Sequence, residues 1–393
     1  PLITTVFLNA ASGGARETAV AVLPGGDLAP ALAGGPAASA GPRMDTDPPF
    51  QTERFGRNYA AKERARSLTI VRLDTGEVIR TFRPATNPLS FSSTVVTTTD
   101  IPAPITGQPK AYPENTGAVA DRIFVGDRDG RLWRVDVSSK NPADWSMRIF
   151  FDAFYDGDYG ESQPVVLPPV LSVTDTGAVT VNFATGDQQV TSAPDTMVNR
   201  VISLTEQLNT SDKFEAHVNW IHELTSGDRV TGPMVLFNSG LYYAASRPPN
   251  TTTAACDIGA SKVFGAHYLE SADDQAETDP PNPLSGPGIA PYPPGTDPPP
   301  ELLIDSSNGL IFGLSLQPEP TCSSTPEDIS GNESFLGAAQ TVTLSTTVKP
   351  GRVFLSYDVS GNTSGSGSVR HVAKELPDPP IPVTFQSWAL VYE

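Results

Sequence analysis

Apolar and polar positions alternate with period two along most of this chain, in short runs broken by glycine, proline and aspartate. The clearest case is VADRIFVGDRDGRLWRVDV, residues 119–137. Ile123 and Val125 end one run, Asp127-Arg128-Asp129-Gly130 form a turn, and Leu132, Trp133, Val135 and Val137 resume the pattern. Two such runs about an Asp-Gly turn predict a β-hairpin. The same device recurs around Asp74-Thr75-Gly76 in residues 67–82, Asp175-Thr176-Gly177 in 168–187, Asn238-Ser239-Gly240 in 231–246 and Ser307-Asn308-Gly309 in 302–316. Residues 3–8 and 18–23 flank a glycine-rich turn, and 352–359 and 383–391 predict closing strands.

No segment carries a capped apolar stripe of helical period, so the predicted class is all-β. The hairpins return at intervals of roughly 45 to 65 residues, against about 40 to 50 for one four-stranded propeller blade. The spacing therefore predicts a single irregular β-propeller over residues 1–393, with six or seven blades, and a β-sandwich with many insertions is the competing architecture. Residues 24–66, rich in Pro, Gly and Ala, read as a long insertion, and 271–300, dominated by acid and proline, as an extended surface loop.

Composition narrows the partners. The formal charge of −18 disfavours nucleic acid and anionic membrane as main partners. No apolar run is long enough for a membrane span. The chain opens on Pro1 within a strand pattern, which predicts a mature product or excised fragment with a domain missing upstream. Cys256 and Cys322 both lie in Pro/Ser/Thr-rich loops, so a disulfide in an exported protein is expected, although two separate buried thiols fit the same count.

Catalytic signatures are thin, and a non-enzymatic protein is expected. The sequence has no HExxH, CxxC, GxSxG or Walker motif. His217 and His222 are five apart, which on a regular strand puts them on opposite faces. Asp152, Asp156, Asp158 and Glu161 offer four carboxylates in a glycine-containing loop, a candidate calcium site, with a merely solvated acidic loop as the alternative. Asp127 and Asp129 read as turn formers. Trp133, Trp145, Trp220 and Trp388 sit in or beside apolar runs, which favours core positions over carbohydrate platforms. A quinoprotein-like enzyme and a lectin-like propeller are the alternative functional classes.

The stretch IFVGDRDGRLWRVDVSS resembles the hallmark strand pair of the C-terminal propeller of PilY-type proteins, the tip-located adhesins and assembly factors of bacterial type IV pili. Gly126, Asp127, Gly130, Leu132, Trp133, Arg134 and Asp136 match that pattern in place. Residues 73–80 resemble the family's Thr-Gly-Glu hairpin, and 181–186 its Phe-Gly-Thr-Gly strand end. The resemblance implies a propeller that contacts minor pilins, supports pilus assembly, twitching motility and adhesion to host or abiotic surfaces, and resides outside the cell. The family's calcium loop is not matched here. Where alternating aspartates are usual, this chain reads GQPKAYPENTGAVAD, so calcium control does not carry over.

Overall fold

The computed structural model describes residues 1–9, 14–26, 64–114, 117–154, 162–174, 176–188, 198–210, 213–237, 240–247, 259–269, 301–306, 309–318, 353–361 and 368–375. These residues form five sheets that follow one another along the chain. The first contains β1 (Leu2–Asn9), β2 (Ala15–Pro24), β3 (Leu68–Arg72), β4 (Val78–Arg83) and β5 (Val96–Thr98), in that order. Its first four strands run antiparallel, and β5 pairs parallel to β4. The second is an antiparallel meander of β6 (Lys110–Tyr112), β7 (Arg122–Gly126), β8 (Arg131–Asp136) and β9 (Ser146–Asp152). The third repeats it with β10 (Val170–Val173), β11 (Val179–Ala184), β12 (Arg200–Leu208) and β13 (Phe214–Glu223).

In the fourth sheet, β14 (Arg229–Val230) and β15 (Val235–Phe237) both pair with β16 (Gly240–Arg247), which is followed by β17 (Ala260–His267) and β18 (Glu301–Ser306). The fifth pairs β21 (Val353–Gly361) with β19 (Leu310–Ile311), β20 (Ser315–Pro318) and β22 (Ser368–Glu375).

The core explains why so many strands are apolar on both faces. Alternate residues of a strand point to opposite sides of its sheet. On β7, Ile123 and Val125 join the cluster shared with the first sheet, whereas Phe124 joins the cluster shared with the third. On β8, Trp133 and Val135 face the first sheet and Leu132 the third. The same division recurs on β16, where Leu241, Tyr243 and Ala245 pack toward the third sheet and Ala244 toward the fifth. Each of the four core clusters among the described residues thus joins one sheet to the next. Small antiparallel sheets stacked face to face in chain order are propeller blades, and the fold is a β-propeller. The described residues make five blades; six or seven is the figure expected from hairpin spacing.

Turn chemistry places the hairpins well. Gly76 and Gly177 sit at the tips of β3–β4 and β10–β11 with φ of +73° and +87°, where glycine is favoured. One predicted hairpin is overturned. Residues 302–316 straddle two blades: β18 is the last strand of the fourth blade, and β19 opens the fifth. The strands before and after Ser307-Asn308-Gly309 pair in different sheets, so that segment runs between blades and closes no hairpin. Most of the 24–66 insertion, the 271–300 loop, both cysteines, Trp388 and the strand expected at 383–391 lie outside the described residues. Among the described residues no helix is long and apolar enough to cross a membrane.

Candidate functional site

The hairpin that stands out in the sequence, β7–β8, is built around one buried carboxylate. Asp127 is fully buried. Its Oδ1 accepts hydrogen bonds from the backbone N–H of Asp129 at 2.8 Å and of Arg131 at 2.9 Å. Its Oδ2 accepts one from the indole Nε1–H of Trp133 at 2.9 Å. The Asp127 amide in turn donates to the Arg131 carbonyl at 3.0 Å, which closes the turn. Burial pushes the Asp127 carboxyl above the usual carboxylate range, the neighbouring Asp129 adds to the rise, and Arg131 and the indole pull against it.

Arg131 supplies the buried counter-charge. Its Nη1 lies 3.6 Å from both Asp127 Oδ2 and Asp129 Oδ2, and its Nε lies 3.5 Å from Asp152 Oδ2. Gly130 is required twice over: its φ is +84°, and a Cβ there would come within 2.6 Å of the Phe154 ring. Gly126 has a different reason. A Cβ would meet the backbone and side chain of Val165 at 2.4 Å. The turn is stitched to its surroundings by backbone bonds from Arg128 N to Pro104 O, Val165 N to Asp127 O and Ala153 N to Gly130 O.

At the opposite end of the hairpin lies a second charged cluster. Glu206 of β12 is buried and accepts hydrogen bonds from Arg134 Nε at 2.7 Å and from Arg122 Nη1. Arg122 also bonds Asp121, and Arg134 bonds Asp136 at 3.1 Å. Both guanidinium groups lie over the Phe214 ring, at 5.1 and 4.7 Å from its centroid. For Arg122, burial opposes the charge, but the bonds to Asp121 and Glu206 outweigh it and raise its pKa. Asp136 is likewise desolvated, yet the hydroxyl and amide of Ser138 and the Arg134 guanidinium hold it below the usual carboxylate range.

Every residue of the sequence motif therefore has a packing or bonding duty. Leu132 and Trp133 are core, as their apolar setting predicts, and Asp127 and Gly130 shape the turn. Nothing in the local pattern marks Asp129 and Arg131 as fully buried, or Arg134 as serving a partner in another blade. Trp145 and Trp220 are also buried, so three of the four tryptophans pack inside and offer no carbohydrate platform.

Of the four candidate calcium ligands, Asp152 is buried at the end of β9, where its Oδ1 accepts from the Phe154 amide at 3.1 Å and its Oδ2 faces Arg131. Asp156, Asp158 and Glu161 lie outside the described residues. Among the described residues no group of three or more His, Cys, Asp or Glu side chains is placed to hold a metal ion.

Strand β13 is not regular between its two histidines, so they do not lie on opposite faces. Ser203 pairs with Trp220 but Leu204 pairs with Val218, so Asn219 is an extra residue in β13. That bulge shifts the alternation by one. His217 and His222 consequently share the face toward the fourth blade. His222 is the more enclosed; its Nδ1 lies 2.7 Å from Tyr243 Oη and its ring packs edge-on to Phe264 at 5.2 Å. Burial, with the Lys262 charge, lowers its pKa to about 4.

Neither a protein-family model nor a curated protein sequence matches the chain. Among solved structures, the Pseudomonas aeruginosa PilY1 C-terminal domain aligns with a TM-score of 0.40 and 13% identity, over 64% of this chain and 62% of that one. BamB from Moraxella catarrhalis aligns with a TM-score of 0.25 and 10% identity, over 79% of this chain and 68% of that one. Likenesses this distant assign no family.

Proposed function

We propose that this chain is a non-catalytic propeller module of a type IV pilus tip assembly, acting outside the cell through protein–protein contacts. The observation that carries the reading is the β7–β8 hairpin. Its Gly126, Asp127, Gly130, Leu132, Trp133, Arg134 and Asp136 correspond in order to the PilY-type signature. In the fold the same residues form one interlocked unit of turn, indole and inter-blade ion pair. A scaffold role also agrees with the chemistry of the second and third blades, whose buried charges serve mainly to hold strands and blades together. The partners in this reading are minor pilins, with host or abiotic surfaces engaged by the full-length protein.

The test is an in-frame deletion of the segment encoding this chain in the bacterium that carries it. Surface pili, adhesion and twitching motility should fall together, and re-expression of the intact chain should restore them. Unchanged pilus number, adhesion and twitching would overturn the proposal.

A further inference from the structure

The seams between successive blades are not alike. Among the described residues, every ion pair that crosses from one blade to another lies between the second and third: Arg122–Glu206, Arg134–Glu206 and Arg128–Asp187. The inter-blade cation–π contacts among them lie there too, Arg122 and Arg134 over Phe214 and Arg200 over Phe154. Arg148 adds a bond to the Phe214 carbonyl, and Arg200 one to the Ala153 carbonyl. Five arginines thus tie this seam, at both ends of the strands. Arg128 and Arg200 act beside the Asp127 turn. Arg122, Arg134 and Arg148 act at the far end, with the apolar cluster of Phe124, Leu132, Phe151, Phe183 and Leu204 between. The far-end cluster sets three arginines against Asp121, Asp136, Glu206 and Glu215.

The third–fourth seam is tied mainly by neutral donors, Trp220 Nε1 to the His267 carbonyl at 2.8 Å, Asn199 Nδ2 to the Asp228 carbonyl at 2.8 Å and Gln188 Nε2 to the Val230 carbonyl at 2.7 Å, with one arginine, Arg229, donating to the Asp187 carbonyl at 2.8 Å. The first–second and fourth–fifth seams are simpler. Between the first and second blades the crossing bonds are backbone ones, such as Asn9 N to Lys140 O and Ala120 N to Thr5 O, over an apolar cluster, and one buried guanidinium, Arg80, feels the Asp144 charge without a close ion pair among the described residues. Between the fourth and fifth, hydroxyls do the work: Thr231 Oγ1 donates to the Ile311 carbonyl at 2.6 Å, and Ser261 Oγ accepts from the Ile311 amide at 3.0 Å. Parting a seam of desolvated charges leaves several uncompensated at once, whereas backbone and hydroxyl groups are readily rehydrated.

We infer that the second and third blades, residues 110–223, form one cooperative unit that opens as a whole while the first and fifth blades open separately. The clamp on Glu206 is what makes two blades into one unit.

Hydrogen exchange of the intact chain, followed by mass spectrometry, tests this. In the wild type, peptides from 122–136 and 200–214 should exchange at one common rate, slower than those of the first and fifth blades. Glu206→Gln should accelerate both sets by the same factor, about 100-fold, because it removes the one buried carboxylate that Arg122 and Arg134 share across the seam. Peptides of β1 and β2 should keep their wild-type rates. If Glu206→Gln does not fold, Arg134→Lys, which keeps the charge but loses the planar fork, should give the same pattern at about 10-fold. Acceleration confined to residues touching Glu206, different factors for the two blades, or equal acceleration in every blade would each overturn the inference.

Discussion

Asp127→Asn is the sharpest perturbation of the hairpin, because it changes one atom and removes one charge. The native carboxylate accepts from two backbone amides on Oδ1 and from the Trp133 indole on Oδ2. Asparagine has only one acceptor oxygen. If that oxygen stays on the amides, the new NH2 group confronts the indole N–H and the Arg131 guanidinium, donor against donor. A lost hydrogen bond to a charged group costs about 1.5–3 kcal/mol, and a stranded buried donor about 1–3. Against this, the neutral amide escapes the desolvation that raises the native pKa. The net expectation is a loss of about 2–3 kcal/mol.

Trp133→Phe strands the same Oδ2 from the other side and should cost about 2 kcal/mol. The double variant removes donor and acceptor together, so its loss should fall short of the sum by about 1–2 kcal/mol. Urea unfolding followed by circular dichroism measures all four proteins of the cycle. A single Asp127→Asn loss below about 0.5 kcal/mol, or strict additivity in the cycle, would refute the claim that this carboxylate organises the turn.

Three further outcomes follow. Gly130→Ala should cost about 3 kcal/mol, since the left-handed backbone and the Phe154 ring both oppose a methyl group, whereas Gly177→Ala, in open space, should cost only about 1; unfolding midpoints compare the two. His222 is held neutral in the fold, with a pKa of about 4 against 6.5 when free, so its contribution is intact above pH 6.5 and is lost as pH falls from 6.5 toward 4. Across that window the loss is of order 2–3 kcal/mol, and His222→Asn should flatten the stability profile between pH 6.5 and 5. Phe214→Leu removes the ring beneath two guanidinium groups and should lower stability by about 1–2 kcal/mol, with a smaller effect when Arg134 is already replaced.

The strands themselves were legible in the sequence because turn residues and period-two patterns are local. Asp74-Thr75-Gly76 and the Asp127 turn announce their hairpins within a few residues. What local patterns cannot carry is the identity of the neighbour across a seam. Arg134 looks like an outward polar residue of an alternating strand, yet its partner Glu206 lies 72 residues further on. Arg131 and Asp129 look like solvated turn residues, yet both are fully buried, and Arg131 lies against Asp152 at the end of β9. One inserted residue, Asn219, reverses the face of His217 relative to His222, and nothing in EAHVNWIHEL marks it. The Asn308-Gly309 turn has the composition of a hairpin tip, but composition does not say which sheet each flanking strand will join.

The short parallel strand beside β4 carries a consequence for behaviour in solution. An exposed sheet margin is a template on which another chain can add a strand. On the first blade one of the two margins is β5, only Val96–Thr98, running in the opposite sense to what the meander would supply; the other is β1. Three residues offer too short a ladder to hold an incoming strand. At that margin the blade is guarded against strand-by-strand addition of further copies.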